Sequence, residues 1–282
     1  MEREQQNFWE KFVAIDRRIL YALIFVIVGA VALRPLGLPV IVSADTQEYY
    51  DTIEAIPAGG VIWLDAGYGP GSIGELGPMM EATIRHALRN NVRVVMAAMW
   101  EEGGRMSATA WNNVAPDFPD KEYGVDIVNL GWRPGGAAAV TRSAVRDVYD
   151  TYAGVDHEGN SLDNMPLAME VQRLHPDFVD FGVVYESGSP GGADWLQYVA
   201  EPTGLPMGIG IIAMSIPGAK AYHDAGQYKA MIPGSTGCAE YELLLGSPGA
   251  ALAAQDVLSM SMLYVTLLII LGNIGWFATR ES

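Results

Sequence analysis

An apolar run of 22 residues near the carboxyl terminus is the feature that most constrains this chain. It covers residues 257–278 (VLSMSMLYVTLLIILGNIGWFA) and contains no Asp, Glu, Lys or Arg. As a helix it would be about 33 Å long, which is enough to cross the hydrocarbon core of a membrane. We therefore predict a transmembrane helix over 257–278, with Trp276 and Phe277 at the membrane–water interface.

A second apolar segment lies near the amino terminus. Residues 19–33 carry no charged side chain, and apolar residues continue past Arg34 to Val42. Because the first part alone is short for a membrane span, we predict a transmembrane helix over 19–42, with Arg34 reaching the lipid headgroups. Two alternatives stay open: a signal peptide cleaved near Val42, and buried helices of a soluble protein.

Lysine and arginine are distributed unevenly around these two segments. The first 18 residues hold four of them and Arg280 follows the second segment, whereas residues 35–84 and 230–279 hold none. Cytoplasmic flanks of membrane helices are enriched in Lys and Arg, so both termini are predicted to be cytoplasmic. The predicted protein is a two-pass protein of the plasma (inner) membrane with a periplasmic central domain. Its predicted parts are a cytoplasmic tail (1–18), a first transmembrane helix (19–42), an extracytoplasmic domain (45–256), a second transmembrane helix (257–278) and a cytoplasmic tail (279–282).

Composition excludes several classes of protein. The formal net charge of −16 argues against nucleic acid as a partner, because its phosphates would be repelled. A hydrophobic fraction of 50% is too high for a disordered chain. The single cysteine, Cys238, rules out an internal disulfide. The four histidines lack the spacing of metal ligands, and His86 is expected on the exposed side of a helix. The acidic loop 156–164 lacks a complete calcium-binding motif. We therefore predict no metal site.

The central region alternates short apolar segments with longer amphipathic ones. Strands rich in Val and Ile, each followed by a helix, indicate βαβ units. The predicted fold class is therefore α/β, with a mostly parallel, doubly wound (Rossmann-like) sheet. Predicted strands cover 61–66, 92–100, 125–130, 178–185 and 207–214, and predicted helices cover 75–89, 137–152, 193–200 and 219–229.

Four of the predicted strands are followed by a Pro-Gly pair. Such turns expose backbone N–H groups at the carboxyl ends of strands, where open α/β sheets bind ligands. The structural alternative is that strand-to-helix turns favour Pro and Gly in any parallel sheet. The candidate ligand-binding residues in these turns are Gly69, Gly71, Ser72, Gly135, Ser189, Gly191 and Gly218.

Two more specific activities have incomplete motifs. Residues 69–74 fit the G-x-G-x-x-G pattern of dinucleotide sites, but Pro70 removes one N–H group and no acidic residue has the usual spacing. We therefore expect a tight turn and no cofactor. Ser189, Ser235 and Cys238 are candidate hydrolase nucleophiles, and none of them lies in a complete catalytic motif.

The architecture resembles doubly wound α/β domains, including those of binding proteins and serine hydrolases, which implies little about activity. The leading hypothesis is a non-catalytic scaffold or sensor subunit of a larger integral-membrane assembly. The alternatives are a membrane-anchored binding domain for a small polar or anionic ligand at the strand carboxyl ends, and a hydrolase. Predicted partners are the lipid bilayer and other membrane subunits or a second copy. The acidic segment 237–242, with Asp256, is expected near the outer membrane face, and the candidate helix-packing residues are Gly272, Asn273 and Gly275.

Overall fold

The computed structural model describes residues 8–34 and 36–280. The chain divides into two compact units. One is Val40–Ala251, which we call the α/β unit, and the other combines Met1–Pro39 with Leu252–Ser282 and is called the terminal unit. Parts of the predicted tails and first span, namely residues 1–7, Pro35 and residues 281–282, lie outside the described residues.

Six parallel strands form the sheet of the α/β unit, in the order β3-β2-β1-β4-β5-β6. This confirms the predicted α/β class with a parallel, Rossmann-like sheet. The strand order runs outward in one direction from β1 and in the other from β4, which makes the sheet doubly wound. The strands are β1 (Val61–Gly67), β2 (Arg93–Ala98), β3 (Ile127–Trp132), β4 (Phe181–Glu186), β5 (Met207–Ile211) and β6 (Tyr228–Pro233).

Helices cover both faces of the sheet, with α3, α4, α5 and α12 on one face and α6, α9 and α11 on the other. Coverage of both faces explains why all seven residues of β1 are buried and why its sequence is almost entirely apolar. The helices are α1 (Phe8–Val13), α2 (Arg17–Leu33), α3 (Ala44–Glu54), α4 (Ile73–Arg89), α5 (Gly103–Val114), α6 (Ala137–Arg146), α7 (Val148–Thr151), α8 (Pro166–Glu170), α9 (Gly192–Trp195), α10 (Glu201–Thr203), α11 (Ile216–Asp224), α12 (Gly234–Leu244) and α13 (Ala250–Arg280).

One strand of the sheet, β6, lies where a helix was predicted. The predicted helix over 219–229 ends at Asp224, and β6 begins at Tyr228. Gly226 adopts a left-handed conformation, with φ of 74°, directly after the helix. A glycine in this conformation commonly follows the end of a helix. The predicted helix extends past this glycine and includes the first residues of β6.

The carboxyl-terminal helix α13 is the one helix of the described residues that is long and apolar enough to cross a membrane. It has 31 residues, and its most apolar window of 18 residues has a mean hydropathy of 2.1 and is not buried in the protein. The predicted span over 257–278 lies entirely within it. Length and composition are therefore compatible with membrane association of this end of the chain.

The amino-terminal helix is shorter than predicted. Helix α2 has 17 residues and ends at Leu33, and residues 36–42 are not helical, so the prediction of one helix over 19–42 is wrong. The reason is the proline that follows Arg34, because the residue before a proline is driven out of the helical conformation. Arg34 accordingly has φ −142° and ψ 87°. A first transmembrane span formed by α2 alone stays a prediction.

The two glutamates of the acidic segment 237–242 are buried. On α12, the Glu240 carboxylate accepts a hydrogen bond from the Ser43 backbone N–H at 2.9 Å. Glu242 accepts hydrogen bonds from the backbone N–H groups of Gly249 and Ala251. These two carboxylates therefore hold the beginnings of α3 and α13, and the expected location of the segment 237–242 near the outer membrane face stays a prediction.

Asp256 has a similar role inside the terminal unit. Its carboxylate accepts hydrogen bonds from the backbone N–H groups of Leu36, Gly37 and Leu38, at 2.7, 2.8 and 3.0 Å. The side chain is almost completely buried. The carboxylate thus accepts hydrogen bonds from three backbone N–H groups of the segment that follows α2. These hydrogen bonds compensate for burying a charged group beside the apolar part of α13.

Candidate functional site

The strand order identifies one place where the sheet can bind a ligand. Strands β1 and β4 are neighbours, but the chain leaves β1 for α4 on one face and leaves β4 for α9 on the other. Where two loops diverge in this way, open α/β sheets form a crevice at the strand carboxyl ends. We call residues 65–72 and 186–192 the β1/β4 edge.

Five of the seven predicted ligand-binding residues lie on this edge. Gly69, Gly71 and Ser72 follow β1, and Ser189 and Gly191 follow β4. The two loops are joined by a hydrogen bond from the Ser187 backbone N–H to the Gly67 carbonyl oxygen, at 3.2 Å. The other two predicted residues lie elsewhere along the sheet: Gly135 follows β3, two strands from β1, and Gly218 lies in the first turn of α11 after β5. Ligand binding by all seven stays a prediction.

The glycines of the edge have different roles. A Cβ atom at Gly71 would meet nothing within 4 Å, and one at Gly69 would lie 3.9 Å from the Glu102 carboxyl group. A Cβ atom at Gly191 would lie only 2.5 Å from the Glu186 carboxyl carbon, so Gly191 is required by packing. Only the glycines after β1 therefore leave open space beside the edge.

Asp65 is the site residue that sequence reasoning missed. It lies in β1 and is 1% exposed. Its Oδ1 accepts a hydrogen bond from the Met99 backbone N–H at 3.0 Å, whereas Oδ2 has no hydrogen-bond partner among the described residues. Burial raises the pKa of Asp65 to about 7, because the charged carboxylate is poorly solvated there. The signal was present in the sequence, since Asp65 is the single charged residue of the strand VIWLDAG.

Two tryptophans beside Asp65 also have unpaired polar atoms. The Nε1 atoms of Trp63 and Trp195 are buried without a partner in the part of the chain that the structure describes. Their ring centroids are 6.3 Å apart. Trp195 is close enough to lower the pKa of Asp65, but the Nε1 and Oδ2 atoms do not meet the geometry of a hydrogen bond. Unpaired buried polar atoms are rare in folded proteins, and several together are a feature of functional sites.

Trp100 closes the edge from the neighbouring strand. It follows β2, and its Nε1 donates a hydrogen bond to the Pro190 carbonyl oxygen at 2.7 Å. Its ring edge is 3.6 Å from the Cβ position of Gly188. Because β1 lies between β2 and β4, this indole bridges the carboxyl end of β1 and joins the two flanking loops.

Further carboxylates surround the edge. Glu186 accepts a hydrogen bond from the Gly192 backbone N–H at 2.6 Å, and burial raises its pKa. Glu101 and Glu102 follow β2 and are exposed. The nearby guanidinium of Arg133 is bound to backbone carbonyl oxygens, including those of Tyr152 and Val155. The edge is therefore rich in negative charge.

Other candidates from the sequence have structural roles. The Asp156 carboxylate accepts hydrogen bonds from the backbone N–H groups of Glu158 and Asn160, so the acidic loop is a turn held by its own first residue. Among the described residues, no group of His, Cys, Asp and Glu is arranged to hold a metal ion. Cys238 is fully buried, and burial raises its pKa well above the usual value, which argues against a nucleophilic thiolate.

The prediction that His86 is exposed is wrong. The side chain is 1% exposed, with Nδ1 at 2.8 Å from the Tyr241 hydroxyl and Nε2 at 2.8 Å from Glu54. Burial lowers the pKa of His86, in keeping with a neutral imidazole in the interface of α3, α4 and α12. The Nε2 atom of His223 lies 2.9 Å from the Glu48 carboxylate on α3, so one of its two ring nitrogens is paired.

One surface groove lies away from the β1/β4 edge. It has a volume of about 640 Å³ and is found beside the amino ends of β5 and β6, where Leu196, Tyr222 and Lys229 line it. None of the unpaired buried polar atoms of the described residues belongs to its lining. We therefore place the candidate site at the β1/β4 edge.

The chain was compared with protein-family models, with curated proteins and with solved structures, and none of them matches it.

Proposed function

We propose that this chain is a membrane-anchored binding protein whose α/β unit takes a small polar ligand at the β1/β4 edge. One observation carries the proposal: Asp65 Oδ2 and Trp195 Nε1 are both buried, and neither makes a hydrogen bond of ordinary geometry within the described residues, although the indole is close enough to lower the pKa of Asp65. A buried polar atom without a partner costs about 1–3 kcal/mol. A ligand that pairs with these atoms recovers that free energy on binding.

The location of these atoms supports binding over a purely structural role. They lie at the point where the strand order reverses, which is where open α/β sheets bind their ligands. The loop after β1 leaves space at its surface, since a Cβ at Gly71 would meet nothing within 4 Å. No nucleophile with a paired base is found at the edge within the described residues, so a binding role is favoured over hydrolysis.

A ligand screen tests this proposal. The full chain in detergent is heated with a panel of small polar metabolites, and a ligand that binds the folded state raises the melting temperature by mass action. We expect at least one compound to stabilise the wild type and to lose its effect in Asp65→Asn. If no compound raises the melting temperature, or if Asp65→Asn responds like the wild type to all of them, the proposed site is wrong.

We further propose that the α/β unit lies outside the cytoplasm, as the distribution of Lys and Arg favours. Helix α13 supplies one membrane span, and α2, with 17 residues, is at the lower limit of the length needed for a second. The test uses single cysteines at two exposed positions, Glu158→Cys in the α/β unit and Lys11→Cys before α2. A membrane-impermeant maleimide should label only Glu158→Cys in intact spheroplasts. Labelling of Lys11→Cys alone would show that the orientation in the membrane is the opposite of the one proposed.

A scaffold subunit of a membrane assembly is the second candidate function. Gly272 of α13 is exposed, and a Cβ there would meet nothing within 4 Å, so another helix could approach closely. Gly275 is buried in the terminal unit, and Asn273 donates its side-chain N–H to the Ile269 carbonyl oxygen of its own helix at 2.7 Å. Extraction in mild detergent followed by sizing should show a larger species that Gly272→Leu disrupts. A monomer without companions would contradict this function.

A further inference from the structure

The short helix α1 carries an aromatic surface that stays exposed in the part of the chain that the structure describes. Phe8, Trp9 and Phe12 pack on one another, with ring centroids 5.2, 6.4 and 6.0 Å apart, and Phe8 is 67% exposed. We propose that these three rings, which we call the α1 aromatic face, bind the headgroup layer of a phospholipid bilayer. The inference rests on the membrane anchoring proposed above and adds a contact along the membrane surface.

The spacing of the rings makes α1 amphipathic. Helical periodicity places Phe8, Trp9 and Phe12 within about 100° of one another around the helix axis. Lys11 lies outside this arc and is exposed. Helices with Trp and Phe on one side and a basic residue on another are typical of membrane surfaces, because the rings reach the apolar boundary while the charge stays among the headgroups.

The chain keeps α1 close to the beginning of α2. Residues 14–16 are the whole connection between the two helices, and the four Cα–Cα steps across it span at most about 15 Å. A helix of six residues is too short to bind a membrane strongly by itself. Because α2 supplies the attachment, the aromatic face has only to fix how α1 lies on the membrane surface.

Two hydrogen bonds inside the terminal unit show how α2 and α13 run. The Leu36 backbone N–H donates to the Asp256 carboxylate, in the first part of α13. The Tyr264 hydroxyl donates to the Leu20 carbonyl oxygen at 2.9 Å, and this contact is further along α13 but earlier in the chain before it. The two helices are therefore antiparallel, and the beginning of α2 lies toward the end of α13.

The helix lengths place α1 at the level of the aromatic end of α13. Trp276 is about 30 Å along α13 from Asp256, and Arg17 is about 24 Å along α2 from Leu33, with the residues after α2 supplying the difference. Trp276 and Phe277 are 50% and 61% exposed. The α1 aromatic face and these two rings therefore lie at one level, as in the aromatic belt at a membrane–water interface.

Basic side chains beside the rings favour a phospholipid over a purely apolar partner. Lys11, Arg17 and Arg18 are exposed, and the Arg280 guanidinium lies 5.0 Å from the centroid of the Trp276 ring. The Asp16 carboxylate among them accepts a hydrogen bond from the Arg18 backbone N–H at 2.9 Å. These cations are placed to meet the phosphate groups that phospholipid headgroups carry, while the rings lie at the boundary beneath them.

Quenching by brominated lipid measures which indoles touch the bilayer. The full chain is reconstituted into phosphatidylcholine vesicles whose acyl chains are brominated near the headgroup. Only tryptophans in contact with lipid lose emission, and we expect these to be Trp9 and Trp276. Trp9→Phe and Trp276→Phe should therefore each remove about half of the lipid-quenchable emission. The control Trp111→Phe, on α5 of the α/β unit, should leave it unchanged.

A double substitution tests the aromatic face itself. Phe8→Ser with Phe12→Ser removes two rings and keeps Trp9 as the reporter. Emission of Trp9 should shift to longer wavelength and lose its quenching by lipid, whereas quenching of Trp276 should persist and show that α13 is still inserted. The control Tyr222→Ser removes an exposed ring from α11 and should change neither signal.

The outcomes separate this inference from the membrane anchoring on which it rests. If Trp9→Phe keeps the quenching of the wild type while Trp276→Phe loses part of it, α1 does not touch lipid, whether it lies in water or against another protein, and the inference alone is wrong. If neither variant loses quenching, the membrane anchoring is wrong as well. Stronger quenching of Trp9 by bromine at the bilayer centre than by bromine near the headgroup would also overturn the interfacial location.

Discussion

Replacing Asp65 by asparagine tests the buried carboxyl group directly. Burial raises its pKa from 3.8 to about 7, so between these two pH values the folded protein keeps a proton that the unfolded chain has released. Stability therefore falls as pH rises through this range, and the full penalty is present above pH 7. The difference between the two pKa values corresponds to about 4 kcal/mol, since one pKa unit is equivalent to about 1.4 kcal/mol.

Asparagine keeps the shape of the side chain and does not titrate. At pH 5 the carboxyl group costs the wild type about 2 kcal/mol, and at pH 8 it costs about 4 kcal/mol. The unfolding free energy of Asp65→Asn relative to the wild type should therefore increase by about 2–3 kcal/mol between pH 5 and pH 8. Any effect of the substitution on the hydrogen bond from Met99 is common to both pH values and cancels in this comparison.

The assay is urea denaturation of the ligand-free full chain in detergent, followed by tryptophan fluorescence at the two pH values. Asp51→Asn, an exposed substitution on α3, is the control and should show little change. The reasoning would be refuted by a stability difference between Asp65→Asn and wild type that does not change with pH, or one that is larger at pH 5.

The remaining predictions concern packing and the loops. Gly103→Ala should lower the unfolding free energy by about 3 kcal/mol, because its Cβ would collide with the backbone of β1. The control Gly71→Ala should have almost no effect, since a Cβ there would meet nothing within 4 Å. Equal urea midpoints for the two variants would contradict this prediction. Trp100→Phe removes the hydrogen bond to the loop after β4, so hydrogen exchange should become faster in residues 187–192, and unchanged exchange would show that the indole does not hold this loop. Glu240→Gln weakens two charge-assisted hydrogen bonds at the start of α3 and should cost about 2 kcal/mol in urea denaturation, and wild-type stability would contradict the role of this carboxylate.

Local sequence patterns were sufficient for most of the α/β unit. The apolar run VIWLDA became β1, and the apolar residues spaced four apart in the predicted helix 75–89 became the buried face of α4. Each of the four Pro-Gly pairs after the predicted strands lies at the start of a helix, as at Pro70 and Pro217. Strand β6 was missed because six residues with a lysine among them carry too little periodicity to be separated from the helix before them.

The candidate site could be predicted only in part. The turns after β1 and β4 were identified from their glycines, but their adjacency depends on the strand order, which no local pattern encodes. Asp65 was overlooked because its importance comes from what surrounds it. Met99 pairs with one oxygen and nothing described pairs with the other, and both facts require the folded structure.

The sequence by itself determined the class of fold and the position of an apolar carboxyl-terminal helix. Both follow from patterns within a few consecutive residues, where hydrophobic periodicity and turn residues act locally. Only the tertiary structure decided which charges are buried. Glu240 and Asp256 bind backbone N–H groups of residues distant in sequence, and His86, which was expected on the exposed side of a helix, lies in a helix interface. The environment of a polar group is set by long-range neighbours, and a carboxylate that finds backbone donors can be buried where its sequence context predicts exposure.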